Sequence, residues 1–247
     1  MGKGGLALSI GTKFVENVSG RQKKQDCELK AAYRLLEDLG KEFPQLRICL
    51  VLDSLYVSEE IIKICEKQRW KFIIGFKKGS APDLYKEYEI LKKLCSGNYL
   101  EYYWKKKKEK QFYRWVEGID YKFEGKHYVN VLECKVRKEE AKKGKKESRW
   151  VWLTNFSITK GNCTILANEG GRLRWKEENE GFNIQKNGGY NLEHLYIKDY
   201  NGMKCIYLLI QIAHIFNQLI EKGNLLTKGI REALGSICEI AQRLLEE

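Results

Sequence analysis

Apolar residues along this chain change their period several times. From Leu6 to Val18 (LALSIGTKFVENV) they alternate with polar ones, and the segment is rich in β-branched and aromatic side chains, which predicts a strand. Between Gln25 and Phe43 the positions Leu29, Ala32, Leu35, Leu36 and Leu39 fall at helical spacing and stop before Pro44, so an amphipathic helix is expected. Leu46 to Leu52 is largely apolar, suited to a parallel strand covered on both faces, and it ends at Asp53 and Ser54. Ser58 offers an N-cap to the next helix, with Glu59 and Glu60 in its first turn, and Trp70 to Phe76 (WKFIIGF) is the following strand. Strand and helix alternating with short joints predict parallel βαβ units, whose ligands lie beyond the carboxyl ends of the strands. Asp53 sits at such an end. Position alone leaves two roles open for it, a functional carboxylate or a cap on the next helix.

The period then shortens. Glu101 to Trp152 alternates through Gly- and Lys-rich turns and predicts antiparallel strands, interrupted by the clusters Lys105 to Lys108 and Lys142 to Lys146. Each cluster is a solvated turn or a loop that meets phosphate. From Thr159 the helical pattern returns. Gly202 to Lys222 carries an apolar stripe of Tyr207, Leu208, Ile212, Ile215, Phe216 and Leu219 and is expected in the core, and Leu225 to Leu245 predicts a last amphipathic helix. The expected organisation is a first core part over 1–95, a β-rich insertion over 96–158, and a helical completion over 159–247.

Composition narrows the partners. A chain of 247 residues with 43% hydrophobic residues and only two prolines has the make-up of a folded body, not of a disordered one. Its 45 Lys and Arg against 33 Asp and Glu give +12, which attracts nucleic acid or an acidic membrane. Aromatic residues beside many of these cations favour nucleic acid, because rings stack on bases. The eight cysteines are scattered singly without CxxC or Cys/His zinc spacing, so free thiols in a reducing cytoplasm are expected. The apolar run near Met1 is too short for a secretory signal, and no uninterrupted stretch reaches the roughly 18–20 apolar residues of a membrane span.

The densest polar stretch is GRLRWKEENEGFNIQKNGGY, 171 to 190, in which Arg174 and Glu178 fall one helical turn apart. Carboxylates that converge from separate elements near strand ends suit magnesium-dependent phosphoryl transfer, since Mg²⁺ takes one or two carboxylates and completes its shell with water and phosphate oxygen. Asp53 and Glu178 supply part of such a site.

Four segments, ICLVLDSLY (48–56), KFIIGFKKG (71–79), VWLTNF (151–156) and above all GRLRWKEENEGFNIQKNGGYNLEH (171–194), resemble the C-terminal two thirds of insertion-sequence transposases with the RNase H-like DDE core. The resemblance implies an α/β fold, an incomplete RNase H-like core with an antiparallel β insertion and C-terminal helices. It implies Asp53 and Glu178 as catalytic, metal-binding carboxylates, Mg²⁺ as the cofactor with Mn²⁺ as a substitute, and Arg174, Trp175 and Lys186 as DNA-binding residues. Double-stranded DNA, as element ends and target, is the implied partner, together with a homodimer formed on DNA, in the cytoplasm and without a membrane.

The match departs from the family's Tyr/Arg/Glu/Lys signature at two positions, which keeps a second glutamate open. The tyrosine position is Gly171, the lysine position is Gln185 with Lys186 one residue later, and Glu180 is an alternative to Glu178. The family's first aspartate belongs to a strand upstream of LALSIG that this chain does not contain. Asp26 and Glu28 fit a helix start better than a replacement for it. The resemblance therefore implies a truncated transposase, inactive alone, with a non-catalytic DNA-binding remnant or regulator as the alternative.

Overall fold

The computed structural model describes residues 6–16, 25–121, 127–140 and 144–222. The expected helix over Leu225 to Leu245 and the side chains of the Lys142 to Lys146 cluster lie outside the described residues. The chain divides into two compact units, a sheet unit (Lys13–Arg174) and a helical unit (Met1–Thr12 with Trp175–Glu247).

In the sheet unit the βαβ expectation holds. Helix α1 (Glu28–Glu42) leads to β1 (Cys49–Leu52), α2 (Glu59–Gln68), β2 (Lys71–Gly75) and α3 (Pro82–Leu94), and β1 and β2 are parallel. Ser58 caps α2 as predicted, its hydroxyl accepting the Ile61 N–H. Strands β3 (Tyr99–Trp104), β4 (Glu109–Asp120), β5 (Tyr128–Glu140) and β6 (Gly144–Thr154) are antiparallel, again as predicted. They do not form a sheet of their own. β6 pairs with β2 through Ile73 opposite Thr154 and Ile74 opposite Leu153, so all six strands form one mixed sheet in the order β1-β2-β6-β5-β4-β3.

Each face of that sheet carries a packed apolar core, as strand alternation allows. Phe72, Ile74, Val116, Val131 and Leu153 pack with Ile61, Ile62 and Cys65 of α2 and Tyr88 of α3. Ile73, Tyr113, Trp115, Leu132, Cys134 and Trp152 pack on the other side with Ile158, Cys163, Leu166 and Ala167. The covering chain there is a short α4 (Cys163–Ile165), a π-helical turn (Leu166–Gly170) and a 3-10 turn (Gly171–Arg174). A Cβ at Gly170 would overlap Ile73, and one at Gly171 would overlap the Trp152 indole, so this paired glycine is what lets the backbone lie directly on the sheet.

Among the described residues, the two carboxylates buried in the sheet are paired with cations. Glu133 of β5 accepts the Tyr88 hydroxyl at 2.5 Å, the Lys92 ammonium at 3.0 Å and the Arg149 guanidinium at 2.8 Å. Glu109 of β4, fully buried, meets Arg172 at 3.2 Å and Lys138 at 3.0 Å.

The predicted strand from Leu6 to Val18 is absent over its described part, Leu6 to Glu16. The reason is that side chains, not a neighbouring strand, satisfy its backbone. In the sheet unit the Glu16 N–H donates to Asp26 at 3.0 Å, and Arg34 donates to the Phe14 carbonyl at 3.2 Å. In the helical unit the Gln218 amide takes both groups of Ala7, accepting from its N–H at 2.8 Å and donating to its carbonyl at 2.7 Å.

The helical unit continues with a π-helical turn (Glu177–Phe182), α5 (Asn183–Asn187) and the long α6 (Tyr200–Lys222). Helix α6 forms as predicted but is turned from its predicted orientation. Its buried residues are Gln211, His214 and Gln218, spaced three and four apart, while Leu208, Leu209, Ile212 and Phe216 are exposed. Gln185 and Gln211 exchange amide hydrogen bonds at 2.8 and 2.9 Å, and the Ser9 hydroxyl donates to Gln211 at 2.6 Å. By length and composition Tyr200–Ile220 could cross a bilayer, and among the described residues it is the one helix that could.

Candidate functional site

Asp53 immediately follows β1, at the carboxyl end of the parallel pair. Its Oδ1 accepts the Leu55 N–H at 2.9 Å and the Ser54 hydroxyl at 3.2 Å, capping the 3-10 turn Ser54–Tyr56. Gly75, closing β2, brings the neighbouring strand close, for a Cβ there would stand 3.3 Å from the Ser54 nitrogen. The Leu55 N–H holds the Asp53 carboxyl below the usual carboxylate range against partial burial, helped by Ser54 and by the positive charges of Arg174 and Lys77. The capping role left open by the sequence is thus filled. The carboxylate is also ionised, with cations near it.

Arg174 is half-buried at the end of the 3-10 turn in the same unit as Asp53. Trp175, Glu178, Glu180 and Lys186 belong to the helical unit. Glu178 lies in the π-helical turn, and Glu180 beside it stands 3.8 Å from Lys176. The stretch is not the regular α-helix in which a four-residue spacing makes one turn, because it is 3-10 over Gly171–Arg174 and π-helical over Glu177–Phe182. Trp175 is 53% exposed. Lys186 is exposed and paired with Glu193 at 2.6 Å.

Both departures from the transposase signature have local physical causes. A tyrosine at 171 would collide with Trp152. A lysine at 185 would bury an ammonium where Gln185, 2% exposed, now joins Gln211 and His214. Asp26, which the sequence places at a helix start, has a structural task. It holds Arg34 through both carboxylate oxygens and binds the Glu16 N–H, and the Arg34 guanidinium holds its carboxyl far below the usual range.

The sequence reading missed the buried carboxylates Glu109 and Glu133. Strand phase carries the signal for both. Glu109 alternates in step with Gln111, Tyr113 and Trp115, and Glu133 with Val129 and Val131, all of which are buried. Arg172, read only as part of the polar stretch, reaches Glu109 and lies 4.9 Å from the Trp150 ring centroid.

Among the described residues no three His, Cys, Asp or Glu side chains are grouped to hold a metal ion. Compared with known proteins, the chain matches no family model and no curated protein.

Proposed function

We propose that this chain binds DNA as a protein of the DDE-transposase kind, with Asp53 and Glu178 as its two metal-facing carboxylates and Arg174, Trp175 and Lys186 directed to the nucleic acid. The observation that carries the proposal is the setting of Asp53, an ionised carboxylate directly after a parallel strand with Arg174 and Lys77 in its field. Such a point suits a hard divalent ion and a phosphate together, because the ion takes the carboxylate and the cations take the remaining phosphate charge.

The hydrogen bonds of Asp53 favour a second reading, a non-catalytic DNA-binding regulator in which Asp53 is only a cap. Duplex binding followed by fluorescence anisotropy, with Mg²⁺ or with EDTA at matched ionic strength, separates the two. Asp53→Asn keeps a capping side chain and removes the charge. If the carboxylate meets metal, Mg²⁺ tightens binding by the wild type and not by Asp53→Asn. Indifference of both proteins to Mg²⁺ supports the regulator, and absence of duplex binding overturns both readings.

A further inference from the structure

Beyond Arg114, which lies opposite the buried Glu133 under α3, the face of the sheet that α2 and α3 pack on continues outward over β3, β4 and β5 as a surface the DNA-binding proposal does not use. Pairing register fixes its membership: Tyr99 lies opposite Arg114, Glu101 opposite Phe112, Tyr103 opposite Lys110, and Lys110 in turn opposite Arg137. Residues one step out of phase, Tyr113, Cys134 and Val136, are buried on the other side of the sheet. On the first face Tyr103 is 52% exposed, Tyr99 is 37% exposed, and Lys110, Arg114 and Arg137 are all exposed.

Rings and cations alternate across this surface. The Arg114 guanidinium is 5.8 Å from the Tyr99 ring centroid, and that of Arg137 is 5.0 Å from Phe112. Glu101 and Glu147 are its exposed carboxylates among the described residues, paired with Lys110 at 3.0 Å and Arg137 at 3.7 Å. The β3–β4 turn adds exposed Lys105, Lys107 and Lys108 at one end. Cations are therefore in excess.

We propose that this face binds single-stranded nucleic acid, its bases stacked on Tyr103, Phe112 and Tyr99 and its phosphates held by Arg114, Arg137 and the β3–β4 lysines. Tyr99 and Tyr103 are four residues apart on one strand, about 13 Å, with Phe112 between them on the next strand, so the three rings form a short track. Charge alone would serve any polyanion. Two exposed tyrosine rings and the half-buried Phe112, set between cations, fit a strand whose base faces are open, which a duplex does not offer. The proposal uses a surface remote in sequence from Asp53 and Glu178 and does not rest on the metal reading.

The test compares a labelled oligothymidylate with a duplex of equal length by anisotropy at fixed salt. Tyr103→Ala combined with Tyr99→Ala is expected to weaken oligothymidylate binding by about tenfold or more and to leave duplex binding unchanged. Tyr103→Phe with Tyr99→Phe, which keeps both rings, is expected to restore wild-type affinity. Arg114→Gln with Arg137→Gln should lower the slope of log affinity against log salt for the single strand by about 1.4. An unchanged oligothymidylate affinity in the alanine variant, with its thermal unfolding midpoint retained, overturns the proposal. So does an equal loss for single strand and duplex, which is the signature of a surface that senses charge alone. Failure of the duplex to bind wild type counts against the proposed function and leaves this comparison readable.

Discussion

The two units bury opposite kinds of side chain. In Lys13–Arg174 each face of the sheet packs Ile, Val, Leu and aromatic residues, and of the charges inside it Glu109 meets two cations and Glu133 three. In the helical unit, α6 buries Gln211, His214 and Gln218 and exposes Leu209, Ile212 and Phe216. The difference lies in what holds each arrangement in register. Apolar packing in the sheet unit is tolerant of detail, whereas amides that exchange hydrogen bonds with Ser9 and with the backbone of Ala7 accept one alignment of α6 against the 6–12 segment.

The sharpest way to break this comparison is to unpair a charge in the sheet unit. Glu133→Ala removes the buried partner of Tyr88, Lys92 and Arg149 and leaves the two cations only the Glu89 carboxylate, and urea unfolding should show a loss of about 3 kcal/mol. The same carboxyl sets an acid limit. Burial opposes its ionisation, yet Arg149, Tyr88 and Lys92 outweigh burial and hold its pKa at about 2, below its ordinary 4.5. Because the unfolded chain takes up that proton at higher pH than the folded one, stability from Glu133 is complete above its ordinary value and is lost as pH falls toward about 2. A stability-versus-pH curve should fall in that window for wild type and lose about 3 kcal/mol of the fall in Glu133→Ala.

Close backbone packing on the sheet is the next point to test. Gly171→Ala places a methyl against the Trp152 indole and should cost about 2 kcal/mol in thermal or urea unfolding, with Gly171→Tyr preventing folding. A neutral Gly171→Ala would mean that the 3-10 turn stands off the sheet, and the account of the missing signature tyrosine would fail with it.

Legibility in the sequence divides along the same line. The period of the sheet unit predicts α1, β1, α2, β2 and the antiparallel strands, because apolar positions there do face inward. It could not show that β6 pairs with β2, since that joining is a contact between strands about 80 residues apart and leaves no local pattern. For α6 the period predicts the helix and misplaces its buried side, because an amphipathic stripe says where apolar residues gather, not which side a partner takes. Leu6 to Glu16 alternates like a strand, yet Gln218, Arg34 and Asp26 satisfy its backbone from elsewhere in the chain. At the candidate site, Asp53 at a strand end was readable. The π-helical turn that carries Glu178 was not, since one extra residue in a helical turn has no compositional mark.

The polar side of α6 can be probed through Gln218→Leu, which removes both partners of the Ala7 backbone. The expected loss is about 1–2 kcal/mol, near the cost of leaving partly buried polar groups unsatisfied. Hydrogen exchange at the Ala7 amide should speed up in the variant while amides of β4 and β5 keep their protection. Unchanged exchange at Ala7 would remove the amide alignment as the feature that distinguishes the helical unit.

The smallest expected effect sharpens the comparison most. Leu209 and Phe216 are each 60% exposed on the side of α6 away from Gln211, His214 and Gln218. Leu209→Ser and Phe216→Ser should therefore each shift the unfolding free energy by no more than about 0.5 kcal/mol, as surface substitutions do. If that stripe were the packed side, as helical periodicity alone predicts, truncating it would cost about 2–5 kcal/mol by leaving a cavity. The two outcomes differ by several times the error of a urea titration. A large loss would place the apolar side of α6 in a core, make the glutamines its solvent side, and reduce the two units to one common way of folding.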